Sequence, residues 1–360
     1  MYICRPAPAT VVNHIIFMES AHKHIRTIDT LRGIAALTVC VYHFTGKVLP
    51  SARIPALAAA FDWGGAGVMI FFVISGFIIP YVLFTSHYQL RDFGSFIGKR
   101  FVRICPPSYI VVALIILQWW LYEQVVHIPH PYLATLTPQQ VFYNLTYTAP
   151  FFKSPWINNV FWTLSIEFQY YLFIALLFPL AFRNVYNFLG MCLLVSVLYY
   201  LPVHPTEFFF KWGVLFMMGG ATAMYFIKRI TLPILLAFLA GLSMIGYLQT
   251  GFTATAFALC TALVIPFVQI DSTLGAFLGR ISYSLYLLHV LCAPLLEKVL
   301  LKIIPTGSLA GKIMMQLLCL LLTIFIAYLF YRFVEKPFIM LANKWFGKKK
   351  AARVIAVPAE

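Results

Sequence analysis

The sequence predicts an all-α, polytopic integral membrane protein that crosses the bilayer about ten times and keeps both termini in the cytoplasm. Hydrophobic residues make up 62% of the 360 residues and charged residues only 10%, whereas soluble domains carry about 25% charge. The mean hydropathy is +0.87. Several apolar runs approach the ~20 residues that a helix needs to cross the hydrocarbon core, and they lack the alternation of barrel strands.

The apolar runs place ten membrane helices along the chain. Their approximate bounds are 30–48, 64–84, 104–122, 160–180, 187–202, 210–227, 231–249, 252–270, 281–301 and 313–334. Nine or eleven crossings are the alternatives, because the run near Leu189 is short and two runs meet at Gly251. Residues 1–28 are expected to form an N-terminal extension, in which residues 1–17 are either disordered or wrongly included in the sequence. Residues 29–340 are expected to form the membrane domain, and residues 341–360 a basic cytoplasmic tail.

Basic residues divide unequally between the two sides of this arrangement. The termini and the even-numbered connections hold 19 of the 26 Lys and Arg residues, which leaves 7 for the other side. The positive-inside rule therefore puts both termini in the cytoplasm. The net charge of +15 follows from this topology and from attraction to anionic lipid, so nucleic-acid binding is not needed to explain it.

Ionisable groups inside the predicted helices indicate function, because burying one costs at least about 2.5–3.5 kcal/mol. Arg32 and His43 are eleven residues apart in the first helix. Three helical turns take 10.8 residues, so both side chains lie on one stripe, roughly 16 Å apart along the axis. His43 alone is typical of a satisfied interior histidine. The arginine in phase with it favours a polar track through the helix.

A basic connection, Lys99, Arg100 and Arg103, precedes the third predicted helix on the cytoplasmic side. Three cations at a helix entry are suited to binding phosphate groups. The cluster equally satisfies the positive-inside rule, so this run alone leaves both interpretations open.

Glu167 is interpreted as the only carboxylate well inside a predicted helix, and it shares a helical face with Thr163 and either Tyr170 or Tyr171. An intramembrane glutamate indicates function, with a structural hydrogen-bond anchor as the alternative. In the ninth helix Ser282, Tyr286 and His289 form one polar stripe, for which interhelical hydrogen bonding is the alternative.

Together these segments resemble the signature of the acyltransferase family 3 membrane O-acyltransferases. The resemblance runs from about Ile28 to Phe338 and rests on six motifs in order: the Arg32–His43 spacing, Gly67–Phe77, Arg100–Pro106, Trp162–Glu167, Ile281–His289 and Tyr331–Phe338. Met69, Cys105 and Phe168 depart from the residues that are common in the family at these positions.

The resemblance implies a membrane enzyme that modifies polysaccharides by O-acetylation in the bacterial inner membrane. It would transfer an acyl group, commonly acetyl, from cytoplasmic acyl-CoA to a hydroxyl of a carbohydrate or glycolipid acceptor. Acyl-CoA is expected as a co-substrate, with no bound cofactor and no metal. The site residues fall into three groups: catalytic His43, Glu167, His289 and Tyr286; acyl-CoA-binding Arg32, Arg100 and Arg103; and supporting Asp29, Ser75 and Trp162.

The mechanism that follows is a hypothesis with open branches. His43 acts as general base on the acceptor hydroxyl or accepts the acyl group itself. Glu167 orients the imidazole, and His289 and Tyr286 donate to the oxyanion. The aromatic connection from Tyr122 to Asn159 either stacks on the acceptor sugar or forms an interfacial belt. The rival function is a transporter or flippase that uses the buried Arg, His and Glu as a relay.

Overall fold

The computed structural model describes residues 9–201 and 207–347, with side chains from Arg26 onward, and this part of the chain is helical without a β-strand. Three 3₁₀ turns (Asp62–Ala66, Leu90–Asp92, Ala149–Phe152) and one π-helical turn (Tyr331–Glu335) interrupt the α-helices. The α-helices are α1 (Ala9–Gly46), α2 (Pro55–Ala60), α3 (Gly67–Thr85), α4 (Phe93–Val126), α5 (Pro131–Ala134), α6 (Pro138–Leu145), α7 (Phe161–Ala181), α8 (Val185–Leu198), α9 (Phe209–Phe226), α10 (Leu232–Thr250), α11 (Phe252–Phe267), α12 (Thr273–Leu300), α13 (Leu309–Phe330) and α14 (Lys336–Phe346).

Six helical stretches in the described residues are long and apolar enough to cross a membrane, which confirms a multi-pass membrane protein. They correspond to six of the ten predicted spans: Pro55–Thr85, Leu90–Val126, Phe161–Ala181, Leu232–Thr250, Thr273–Leu300 and Leu309–Phe346. Helices α1, α8, α9 and α11 occupy the other four predicted spans but are not among these six. The total of about ten crossings therefore stays a prediction.

Helices α1 and α12 form the most extensive interface of the fold and run parallel. Near one end Gly33 lies against Gly275 and Gly279, and near the other the rings of His43 and His289 face each other. A Cβ atom added at Gly279 would lie 1.9 Å from the Asp29 carbonyl oxygen. Only glycine therefore permits this approach, which brings the polar stripes of the two helices together.

Helices α3 and α9 make a second close pair. A Cβ atom at Gly76 would lie 2.1 Å from the Phe216 carbonyl oxygen, and one at Gly219 would lie 2.1 Å from that of Val73. Small residues at a helix contact let the two backbones approach, which is how membrane helices gain packing energy without a hydrophobic driving force. This pair forms the apolar side of the interior.

Contacts between the connections divide them into two ends. At one end Arg26 pairs with Asp271 at 2.6 Å, and Arg229 donates to the Arg183 carbonyl at 3.4 Å. At the other end Glu297 accepts the Ser51 backbone N–H at 2.9 Å, and Trp156 donates to Glu207 at 2.7 Å. The ten-helix topology likewise places the first two contacts on one side of the membrane and the last two on the other. The assignment of the Arg26 end to the cytoplasm stays a prediction.

Three predicted segments lie partly outside the described residues: the N-terminal extension, the end of the fifth span and the C-terminal tail. Helix α1 begins at Ala9, inside the predicted extension 1–28, and residues 1–8 lie outside the description. Helix α14 reaches Phe346, inside the predicted tail 341–360, and residues 348–360 again lie outside it. Residues 202–206, which include the predicted end of the fifth span, are likewise not described.

Candidate active site

Five helices enclose a cavity of about 260 Å³ in the half of the fold nearer Arg26. Helices α1, α4, α7 and α12 supply most of its polar side chains, and α3 supplies Ser75 and most of an apolar wall. Six predicted site residues line it: Arg32, Ser75, Arg100, Arg103, Glu167 and Tyr286. Side chains that lie more than a hundred positions apart in sequence thus share one space.

Three guanidinium groups face this cavity from two helices, Arg32 from α1 and Arg100 and Arg103 from α4. Within the described part of the chain none of them donates a hydrogen bond or lies within 4 Å of a carboxylate. Arg100 lies 5.5 Å from the ring centroids of both Phe96 and Tyr171, and its Nε is buried without a partner. Unpaired guanidinium groups that converge on a cavity form a binding site for an anion, above all for phosphate.

Glu167 is the carboxylate of the cavity, and two neighbours hold it. Ser75 donates to Glu167 Oε1 at 2.8 Å, and the Tyr171 hydroxyl donates a short hydrogen bond to the same oxygen. Neither of these hydrogen bonds joins Glu167 to His43, and a role of Glu167 in orienting that imidazole stays a prediction. The carboxylate instead lies in the electrostatic environment of Arg32 and Arg100.

Tyr286 on α12 connects the cavity to the histidines. Its hydroxyl lies 2.8 Å from Thr163 Oγ1 and donates to the Val160 carbonyl at 3.2 Å. Its ring lies 5.7 Å from the His289 ring on the side away from the arginines. One residue therefore contacts both the anion-binding space and the histidine pair.

His43 and His289 form a pair whose ring centroids are 5.0 Å apart. His289 is 0% exposed, and its Nδ1 lies 2.8 Å from the Tyr286 carbonyl oxygen. Because a carbonyl only accepts, Nδ1 carries the proton, and in the neutral ring Nε2 keeps its lone pair. That Nε2 is buried without a partner. In a neutral His289 ring the free Nε2 is an acceptor, and the oxyanion-donor role predicted for this residue requires the protonated ring and stays a prediction.

The remaining two supporting residues lie outside the cavity. Asp29 is one turn from Arg32 on α1, and Arg32, Arg280 and Arg103 are its electrostatic neighbours. Trp162 lies behind the apolar wall, with its ring centroid 6.4 Å from that of Phe72.

Sequence reasoning missed Glu335. It is 2% exposed in the π-helical turn, accepts the Ser284 hydroxyl at 2.6 Å, and is an electrostatic neighbour of Arg103 and Arg32. Glu297 is also buried, at 4% exposure, so Glu167 is not the only interior carboxylate. Glu335 lies just beyond the last apolar run, and its presence in the Tyr331–Phe338 motif was the available signal.

Comparison with known proteins finds relatives that are named O-acetyltransferases. The peptidoglycan O-acetyltransferase OatA of Listeria monocytogenes is 27% identical over 42% of this chain and 24% of that protein. The O-acetyltransferase OatA of Staphylococcus aureus is 23% identical over 93% of this chain and 61% of that protein. The chain thus spans less than two thirds of either relative. No solved structure matches it.

One family model, described as an acyltransferase domain, matches residues 25–332. That range contains every candidate site residue, from Asp29 to His289. It also covers most of the chain, so the protein belongs to acyltransferase family 3, as its motifs predicted.

Proposed function

We propose that this protein is a membrane O-acyltransferase that transfers an acyl group, most simply acetyl, from cytoplasmic acyl-CoA to a hydroxyl of a carbohydrate or glycolipid acceptor in a bacterial inner membrane. The observation that carries the proposal is the cavity with three unpaired guanidinium groups, joined through Tyr286 to two histidines. Family membership supports acyl transfer, and the relatives named as O-acetyltransferases support a polysaccharide acceptor such as peptidoglycan.

The donor enters from the end at which Arg100 and Arg103 lie. Its phosphates bind the guanidinium groups of Arg32, Arg100 and Arg103 in charge-assisted hydrogen bonds. Its uncharged arm follows the apolar wall of α3 toward Tyr286 and delivers the thioester beside His43. Glu167, held by Ser75 and Tyr171, offsets part of the positive charge while the cavity is empty.

His43 acts as the general base. It takes the proton of the acceptor hydroxyl as the oxygen attacks the thioester carbonyl, so a C–O bond forms and the C–S bond breaks. The proton then passes to the departing CoA thiolate. In the two-step alternative the acyl group first rests on the His43 imidazole. In both cases the unpartnered Nε2 of His289 accepts a hydrogen bond from the N–H of His43 during the reaction, with the two ring centroids 5.0 Å apart at the start. This bond fixes the tautomer of His43, which is a positioning role.

The test is release of CoA from acetyl-CoA by the protein in nanodiscs, with a panel of glycan acceptors. His43→Asn is expected to lower the rate about 10²- to 10⁴-fold, the range for loss of a general base. His127→Asn is the matched control, because this histidine is exposed on the connection after α4 and asparagine tolerates its positive φ of 56°. CoA release at the background rate of protein-free nanodiscs in wild type and both variants would overturn the proposal in favour of the transporter. Equal rates above that background would overturn the role of His43.

A further inference from the structure

A second cavity of about 600 Å³ lies between α4, α12 and α13, apart from the arginine cavity. Its walls are almost entirely apolar and include Leu114, Leu121, Val125, Leu288, Leu295 and Phe330. Leu121, Val125 and Leu295 are 47%, 77% and 41% exposed, so the groove opens at the surface of the helix bundle. In a membrane protein that surface faces lipid.

The groove has the length of one leaflet. From Leu114 to Val126 the wall formed by α4 rises about 18 Å, at ~1.5 Å per residue. Half of the ~30 Å hydrocarbon thickness is about 15 Å. The groove therefore matches an acyl chain that lies in a single leaflet, and its far end is the one distant from Arg100 and Arg103.

The ammonium group of Lys298 lies at that far end. Lys298 lines the groove, and its Nζ lies 4.6 Å from the centroid of the Tyr122 ring. No carboxylate lies within 4 Å of this ammonium group in the part of the chain that is described. The two nearby glutamates have other partners: Glu297 accepts the Ser51 backbone N–H at 2.9 Å, and Glu123 accepts that of His130 at 2.6 Å. Lys298 is thus available to an anion.

His130 lines the groove beside Lys298 and supplies the second polar group. Its ring stacks on Trp119, with centroids 5.4 Å apart, and its Nδ1 is buried without a hydrogen-bond partner. Burial lowers the pKa of His130, which favours the neutral ring, and a neutral ring has one N–H donor and one acceptor nitrogen. In the tautomer with the proton on Nδ1, an unsatisfied donor lies next to a free ammonium group and suits a phosphate oxygen.

We propose that this groove is a binding site for an anionic phospholipid, with one acyl chain between α4 and α12 and the phosphate on Lys298 and His130. None of its lining residues lines the arginine cavity or belongs to the His43–His289 pair, so the site is distinct from the proposed site of acyl transfer. A zwitterionic lipid of the same chain length fills the groove equally well. Its choline group adds a positive charge near Lys298, so the anionic lipid binds more tightly.

The test is native mass spectrometry of the delipidated full chain in detergent, titrated with phosphatidylglycerol or with phosphatidylcholine of equal chain length. We expect wild type to bind one phosphatidylglycerol more tightly than phosphatidylcholine. Lys298→Gln weakens phosphatidylglycerol binding about five-fold, the effect of one basic residue at a lipid surface. Lys302→Gln is the matched control, because Lys302 is exposed one turn further on and does not line the groove.

A second variant tests the acyl-chain part of the site. Leu121→Trp on the exposed groove wall fills the space, so it is expected to weaken both lipids while leaving CoA release unchanged. Equal affinity for the two lipids in wild type, or equal weakening by Lys298→Gln and Lys302→Gln, would overturn the proposal.

Discussion

The parallel helices α1 and α12 contribute residues to both the arginine cavity and the histidine pair, yet the two regions differ in their polar groups. The cavity holds three cations and one carboxylate in a space of about 260 Å³. The pair His43 and His289 holds two rings 5.0 Å apart, one of them fully buried. On α1 the two regions are separated by roughly 16 Å of helical rise.

Because the two regions are separate, donor binding by the arginines and proton transfer by the histidines are expected to be separable. Unpaired guanidinium groups attract an anion before and during the reaction alike, so they contribute equal binding to the ground state and the transition state, which lowers KM. A positioned imidazole acts only as the proton moves, which raises kcat. Variants of the two regions are therefore expected to affect different kinetic parameters.

After the loss expected for His43→Asn, the largest expected effect in this comparison belongs to His289. His289→Ala removes the acceptor that fixes His43, so we expect kcat for CoA release to fall about 100-fold, the lower bound for general-base catalysis. The KM for acetyl-CoA is expected to change little, since the arginines are intact. Initial rates over a range of acetyl-CoA concentrations separate the two parameters.

Cys292→Ala is the control for a small buried deletion one turn further along α12. Because His289 acts through His43, His289→Ala should also alter the pH profile of kcat, which loss of packing alone would not do. A raised KM with an unchanged kcat and pH profile would contradict the positioning role.

The next effect belongs to the arginines. Arg100→Gln removes a charge-assisted donor worth about 1.5–3 kcal/mol, so the KM for acetyl-CoA is expected to rise about 10- to 100-fold at nearly constant kcat. Arg100→Lys keeps the charge but loses the forked set of guanidinium donors, so its KM should lie between those of wild type and Arg100→Gln. Arg91→Gln, an exposed arginine at the same end of the fold, is the matched control. A loss confined to kcat would remove the distinction between the two regions.

Helical periodicity explains what the sequence could predict. Arg32 and His43 lie on one stripe because eleven residues make nearly three turns, and Ser282, Tyr286 and His289 lie on one stripe for the same reason. Their helices then had to meet along those stripes, since buried polar groups need each other or a ligand. The convergence of Arg100 and Arg103 on Arg32 was consistent with the motif order, and in the structure all three line one cavity.

What depends on packing between helices could not be predicted. Helical spacing placed Tyr171 on the face of Glu167, but the other partner, Ser75, lies on α3. Helix α3 is apolar on all its faces, so its sequence does not show which face meets Glu167. Glu335 reaches Ser284 through a π-helical turn, which moves it off the position that regular α-helical spacing would give. Neither the turn nor the depth of this carboxylate follows from hydropathy.

A smaller effect is expected where α1 and α12 touch, because this contact supports both regions. Gly279→Ala puts a Cβ atom 1.9 Å from the Asp29 carbonyl, and overpacking of this kind costs about 1–3 kcal/mol. Thermal unfolding in detergent should show a lower Tm, and kcat and KM should both worsen. Gly241→Ala on α10 meets no atom within 4 Å and is the control; an equal Tm in the two variants would contradict the interface.

The smallest expected effect concerns the carboxylate that faces the arginines. Ser75→Ala removes one of the two donors to Glu167 and leaves Tyr171, so the loss is about 0.5–1.5 kcal/mol. The freed carboxylate moves toward the guanidinium groups and competes with the donor's phosphates, which raises the KM for acetyl-CoA about 3- to 10-fold. Ser282→Ala is the matched control, because its hydroxyl lines the same cavity but donates to the Gly279 carbonyl at 2.8 Å. Equal KM values for the two serine variants would mean that Glu167 does not compete for the arginines, and the cavity would then bind its anion through the cations alone.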